Sequence, residues 1–202
     1  MSGFSGSPRL LKGALVLVDP LSGAVRRTIT LQYNPDSLAR SLQIQGAATG
    51  GHRSEALRLQ GPPVETIRLE AEIDATDQLE HPRENPDTVA LGVHPQLAAV
   101  EAIAYPSATT LVLNNVLAAL GTIEIIPAEA PLTLFVWSAQ RVLPVRITEL
   151  SVTEEAFDPA LNPIRAKVSL GMRVLTVDDL GFNHRGGSLF MAYVRAKERL
   201  VT

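Results

Sequence analysis

Residues 147–175 read ITELSVTEEAFDPALNPIRAKVSLGMRVL, and this stretch decides the fold class. Its second half alternates without a break: Ile164, Ala166, Val168, Leu170, Met172 and Val174 share one side, with Arg165, Lys167, Ser169 and Arg173 on the other. A period of two is the signature of a strand with one buried and one exposed face. The first half carries the same pattern with a change of phase. Val145 and Ile147 occupy odd positions, whereas Leu150, Val152 and Ala156 occupy even ones. A one-residue shift of the apolar face predicts a β-bulge near Glu149. Between the halves, Phe157-Asp158-Pro159-Ala160-Leu161-Asn162-Pro163 is a prolyl loop. Folding the hairpin about Ala160 sets Glu155 opposite Arg165 and Thr153 opposite Lys167. Opposite charges across strands agree with that register, although each pair is worth only a few tenths of a kcal/mol.

The same period recurs upstream. Gly13 to Val18 is a short apolar run, and Asp19-Pro20-Leu21-Ser22-Gly23 supplies a turn. Val25, Arg27, Ile29, Leu31 and Tyr33 then alternate with Arg26, Thr28, Thr30 and Gln32 until Asn34-Pro35-Asp36 stops the run. Leu38, Leu42 and Ile44 mark a third strand, followed by a small-residue loop at 46–53; Ile67, Leu69, Ala71 and Ile73 mark a fourth. The middle of the chain differs. Residues 74–92 read as a loop, Pro95 to Ala104 has helical spacing, and Leu111 to Leu120 predicts a second short helix ending at Gly121. Strands resume at Leu132 to Trp137. Residues 186–200 predict a terminal helix with Ser188 as its N-cap. The fold class expected is mainly β (α+β). Residues 1–175 form the β domain with a helical insertion at about 93–121, and 176–202 form a linker and C-terminal helix.

Composition narrows the function classes. The 202 residues are 46% hydrophobic and 19% charged, too apolar and too weakly charged for a disordered chain. Asp and Glu (21) outnumber Lys and Arg (18), which argues against nucleic-acid binding. With no cysteine there is no disulfide, thiolate metal site or thiol nucleophile. The start, MSGFSGSPRLLKG, lacks the apolar run of a secretory signal, so cytoplasmic synthesis is expected. The uncharged stretch from Ala102 to Ile123 approaches membrane-spanning length, but Pro106, Asn114 and Asn115 inside it favour a buried or interface-facing segment. His52, His81, His94 and His184 show no ligand spacing, and Gly50-Gly51 and Gly186-Gly187 lack the spacing and lysine of a phosphate loop. No metal, cofactor or catalytic residue is therefore assigned. Seven acids between Glu70 and Asp87 face one base, Arg83. They lack the glycine and terminal glutamate of a calcium loop and read as a solvated strand face running into an acidic loop, or as a contact with a basic neighbour. Tyr33, Trp137 and Phe157 read as core or interface residues.

One segment of this chain, LQYNPDSLARS (Leu31 to Ser41), resembles the motif after the second strand in tube-like proteins of contractile injection systems. ETIRLEAEIDATD (Glu65 to Asp77) and the 147–175 hairpin resemble two further segments of that family, in the same order. The resemblance implies a tube-protein β-sandwich or barrel, assembled as sixfold rings around a channel in a phage-tail-like particle. It implies as partners further copies of the chain, the inner tube protein, the sheath, and baseplate or spike subunits. Many relatives carry a peptidoglycan-binding LysM module after this domain. Here only 27 residues follow Leu175, and they read as a basic helix, which puts peptidoglycan contact in doubt. The helical insertion favours a tube-initiator or baseplate position over the repeated tube subunit.

The expectation is a structural subunit at the inner tube base or baseplate hub, not an enzyme, assembled in the cytoplasm into a particle that the cell releases. Candidate subunit-interface residues are Glu70, Glu72, Asp74 and Asp77 in the acidic stretch, Glu155, Arg165, Lys167 and Arg173 on the hairpin, and Tyr193, Arg195 and Arg199 on the terminal helix. The regular strand Ile164 to Val174 is expected to offer backbone groups to a neighbour, and the terminal helix to dock on a partner through Leu189, Ala192, Tyr193, Ala196 and Leu200. Two rivals remain: a monomeric β-barrel binding a small apolar ligand, with Ala102–Ile123 lining its pocket, and a hydrolase using the acidic loop.

Overall fold

The computed structural model describes residues 11–46, 59–119 and 131–201. All but Gly46 of the small-residue loop expected at 46–53, and the helix end expected at Gly121, lie outside them. The described residues form seven strands: β1 (Ala14–Val18), β2 (Val25–Thr30), β3 (Leu38–Gln43), β4 (Val64–Asp74), β5 (Leu132–Ser138), β6 (Arg141–Phe157) and β7 (Pro163–Val174). They make one antiparallel sheet in the order β2-β1-β5-β6-β7-β4-β3. The mainly-β, α+β class with a C-terminal helix is thus observed.

The sheet is curled rather than flat. Leu15 of β1 and Ala71 of β4 lie four strand spacings apart, about 19 Å in a flat sheet. Yet both line one cavity of about 230 Å³ with Ile29, Val168 and Leu170, and both belong to one hydrophobic core. At its rim Gln32, just beyond β2, donates through Nε2 to the Asp74 carbonyl (2.7 Å) and accepts the Asp74 N–H through Oε1 (3.0 Å). One side chain thereby imitates a strand pairing between the exits of β2 and β4.

The hairpin takes the register read from its charges: Glu155 pairs with Arg165 and Thr153 with Lys167. The bulge is present, since Ile147 pairs with Met172 but Glu149 with Gly171, leaving Thr148 as the extra residue. As a result Val145, Ile147, Leu150 and Val152 all sit opposite the inward-facing even positions of β7. One expectation is overturned. The strand from Ile164 to Val174 is central, paired with β6 on one side and β4 on the other, so it has no free edge. The edges belong to β2 and β3.

Among the described residues six helices accompany the sheet: α1 (Thr76–Leu79), α2 (Pro86–Leu91), α3 (His94–Glu101), α4 (Ala108–Ala119), α5 (Val177–Leu180) and α6 (Arg185–Val201). The segment 74–92, expected as a loop, holds α1 and α2. Neither is long enough to show a 3.6-residue period, and Pro86 starts α2 at a position where its missing N–H is not needed. Helix α3 covers the core with Leu97 and Val100. Helix α6 begins earlier than expected: Nδ1 of His184 accepts the Gly186 N–H (3.1 Å), so His184 rather than Ser188 caps it.

Candidate assembly surface

Seven of the candidate interface residues meet on one face. Alternation puts Glu70, Glu72 and Asp74 of β4, Arg165, Lys167 and Arg173 of β7, and Glu155 of β6 on the side of the sheet away from the core. The face is largely paired within the chain. Arg165 donates through Nε to Asp74 (2.8 Å) and lies 3.6 Å from Glu72; Lys167 meets Glu155 (3.1 Å) and Arg173 meets Asp179 (2.8 Å). These neighbours also set the titration. Hydrogen bonds and charge from Asp74 raise the Arg165 guanidinium, and Glu155 does the same for Lys167. Partial burial works against the Asp74 charge, but the Thr76 hydroxyl, the Thr76 N–H and Arg165 outweigh it and hold the carboxyl below its ordinary range. Asp158 is lowered by Asn162 and by backbone N–H groups of the hairpin loop. Asp19 is pulled down to about 2, first by the Ser22 N–H and then by Arg26. All three displaced carboxylates move downward, opposite to the shift a general acid needs.

The remaining candidates lie elsewhere. Asp77 is an exposed residue of α1, while Arg195 and Arg199 are on the exposed side of α6. Tyr193 is 7% exposed and belongs to the core of its own chain. The buried stripe of α6 is Gly186, Phe190 and Tyr193, with Lys197 continuing it, so the helix is rotated from the expected face; Ala192 and Leu200 point outward. It packs on its own sheet rather than standing free for a partner.

What turns α6 is a polar cluster that the strand pattern alone does not reveal. Glu65 opens the inward series of β4, where alternation calls for an apolar residue, and it is 3% exposed. Arg40 of β3 donates to it through Nε (2.7 Å) and through a second nitrogen 2.6 Å away, and also reaches the Tyr193 hydroxyl (2.8 Å). That hydroxyl lies 3.3 Å from Glu65 Oε1, and Lys197 Nζ lies 3.5 Å from Oε2 while standing 4.1 Å above the Tyr193 ring. Burial disfavours the Arg40 charge, but the bond and charge of Glu65 more than offset it and raise the guanidinium. The signal was present as a charge at an inward position of an otherwise clean alternation.

Of the uncharged stretch, Ile103 and Ala104 line a cleft of about 540 Å³ with Val145, Ile147 and Leu150. Helix α4, by contrast, buries no residue, and no helix is long and apolar enough to cross a membrane among the described residues. Among those residues no three His, Cys, Asp or Glu side chains converge on a point that would hold a metal ion. His184 is used as a cap, and the Gly186-Gly187 pair serves packing: a Cβ on Gly187 would stand 2.0 Å from the Gly181 carbonyl oxygen.

No family model matches the chain, and no curated protein does. Among the solved structures that align with it are two gene transfer agent particles. One is the tail of an empty gene transfer agent particle, computed with helical refinement in C6 symmetry; it is 12% identical over 80% of this chain and 90% of that chain, with a TM-score of 0.32. The other is the virion of a native gene transfer agent particle, 11% identical over 80% of this chain and 90% of that chain, with a TM-score of 0.29.

Proposed function

We propose that this chain is a non-catalytic structural subunit of a contractile, phage-tail-like injection particle. Copies of it form a sixfold ring around the central channel, at the inner tube base or baseplate hub, in contact with the tube, sheath and spike subunits. The observation that carries the reading joins sequence and fold. The three segments resembling tube-like proteins are scattered over residues 31–175, yet they fold into neighbouring strands: β3 with its entry turn, β4, and the β6–β7 hairpin stand side by side as β6-β7-β4-β3. A resemblance arising by chance in separate strings has no reason to fall on one contiguous half of a sheet.

The rivals gain less. The hydrolase needs a carboxyl raised by its surroundings, and the displaced ones are lowered. The ligand carrier needs the uncharged stretch to line a pocket; Ile103 and Ala104 border an open cleft, but α4, which is most of the stretch, buries no residue.

The test is isolation of intact particles from the producing cells. The chain is expected in them at six copies per particle, and cells lacking its gene are expected to yield no assembled tube. Recovery of the chain only as a free monomer, with particles assembling normally without it, overturns the reading.

A further inference from the structure

Helix α4 is turned inside out. Its least exposed positions are Thr110, Asn114 and Leu117, two of them polar, while Leu111, Val112, Leu113 and Val116 are 47–63% exposed. A surface helix of a self-sufficient domain does the reverse. The lipid surface is a poor occupant. Twelve residues span about 18 Å, too short to cross a bilayer, and the helix carries none of the Lys or Arg that an interfacial helix places at the headgroups.

A second bare apolar patch caps the tip of the β6–β7 hairpin. Phe157 and Leu161 of the hairpin and Val89 and Leu91 of α2 are 46–77% exposed. Two bonds join them into one surface: Asn162 Nδ2 to the Ala90 carbonyl (3.2 Å) and the Val93 N–H to the Pro163 carbonyl (2.8 Å). The two patches are apart. Ile103 and Ala104, which lead into α4, lie against Leu150 in the cleft, and residues 150–157 carry the strand about 23 Å further to the tip.

We propose that the outward face of α4 on one copy docks on the hairpin-tip patch of the next copy. Each patch leaves roughly 400 Å² of apolar surface, within the range of the largest patch on an ordinary monomer. One against the other buries at most about 800 Å² of apolar surface, so the polar rim around both patches supplies the remainder of the roughly 1,000 Å² that a specific interface requires. A twofold pairing of α4 with α4 buries a similar area but leaves the tip bare on both copies. Only a head-to-tail contact covers both patches on every copy, and such contacts close into a ring when the rotation between copies permits. The contact deepens the ring reading above and rests on it for closure at six.

The test uses the full chain with two sets of exposed substitutions, Val112→Asp with Val116→Asp on the helix, and Val89→Asp with Leu161→Asp on the tip. Melting curves first establish that both variants fold like the parent; a variant that does not is replaced by a single substitution from its pair. Sedimentation is expected to show concentration-dependent assembly of the parent, at least a tenfold weaker tendency in each variant, and a one-to-one heterodimer when the two variants are mixed. A monomeric parent, a tip variant that still pairs through α4, or a mixture with no heterodimer overturns the contact. Because the chain has no cysteine, single Val112→Cys and Leu161→Cys variants add a second readout: they are expected to cross-link only when mixed. If both variants enter particles as the parent does, this contact fails while the particle reading stands. If the parent assembles as described yet is absent from particles, the reverse holds.

Discussion

Glu65 is the residue on which the terminal helix turns. Removing one partner of a buried ion pair leaves the other charge uncompensated, which costs far more than the intact pair contributes. Glu65→Ala strands Arg40, the Tyr193 hydroxyl and Lys197 at the junction of β3, β4 and α6. Because Arg40 and Lys197 keep 25% and 43% of their side chains in solvent, it is expected to lower unfolding free energy by about 1–3 kcal/mol in a denaturant titration. Arg165→Ala, which breaks pairs on the exposed face, is expected to leave the midpoint nearly unchanged. Asp19 is one of three carboxylates whose lowered pKa shapes the acid limb of stability. The Asp19 pKa of about 2 lies below the ordinary 3.8, so its contribution is present above pH 4 and is lost as pH falls through the folded value. Replacing it by Asn is expected to flatten that part of the stability curve between about pH 5 and 2, while leaving the curve above pH 5 parallel to the parent's.

At the scale of elements, the bulge at Thr148 decides which side of β6 is apolar. It is accommodated opposite Gly171, where an added Cβ would stand 3.0 Å from Glu149 Cβ and 3.4 Å from the Thr148 hydroxyl. Gly171→Val is therefore expected to destabilise by about 1–3 kcal/mol through overpacking, measured by equilibrium unfolding. The strands themselves were legible because a period of two survives in any strand with one wet face, as in β4 and β7. The hairpin register was legible too, since folding about Ala160 sets Glu155 opposite Arg165 and Thr153 opposite Lys167 on the wet face, as observed. Helices α1 and α2 were not legible, since four and six residues complete too few turns to show a period. The buried face of α6 differs from the one its sequence predicts because its apolar arc is wide and the choice within it is made by Tyr193 and Lys197 reaching Glu65, 128 and 132 positions away in sequence.

For the whole molecule, α6 is part of the core, with Phe190 and Tyr193 among its buried members. Truncation at residue 185 removes both and exposes the Glu65–Arg40 pair on a bare apolar face. Loss of one large aromatic from a core costs about 3–5 kcal/mol, and domains have only about 5–15 kcal/mol in all. The truncated chain is expected to be insoluble or unfolded by circular dichroism; a soluble, cooperatively melting fragment would show that the sheet closes its core without the helix.

By itself the sequence determined what local periodicity encodes: the β-rich class, six of the seven strands nearly to their ends, the bulge, the hairpin register, the two helices of the insertion and the existence of the last one. It also held the three tube-like segments, though not their adjacency. Tertiary structure decided what depends on residues distant in the chain. The strand order buried β7 in the middle of the sheet and left β2 and β3 as edges. The curl brought Leu15 onto Ala71, and the Glu65 cluster set the roll of α6. The outward turn of α4 belongs with these, because a pattern of apolar residues states only that a face will be covered. Whether the cover is the same chain or another is settled by the shape of everything else.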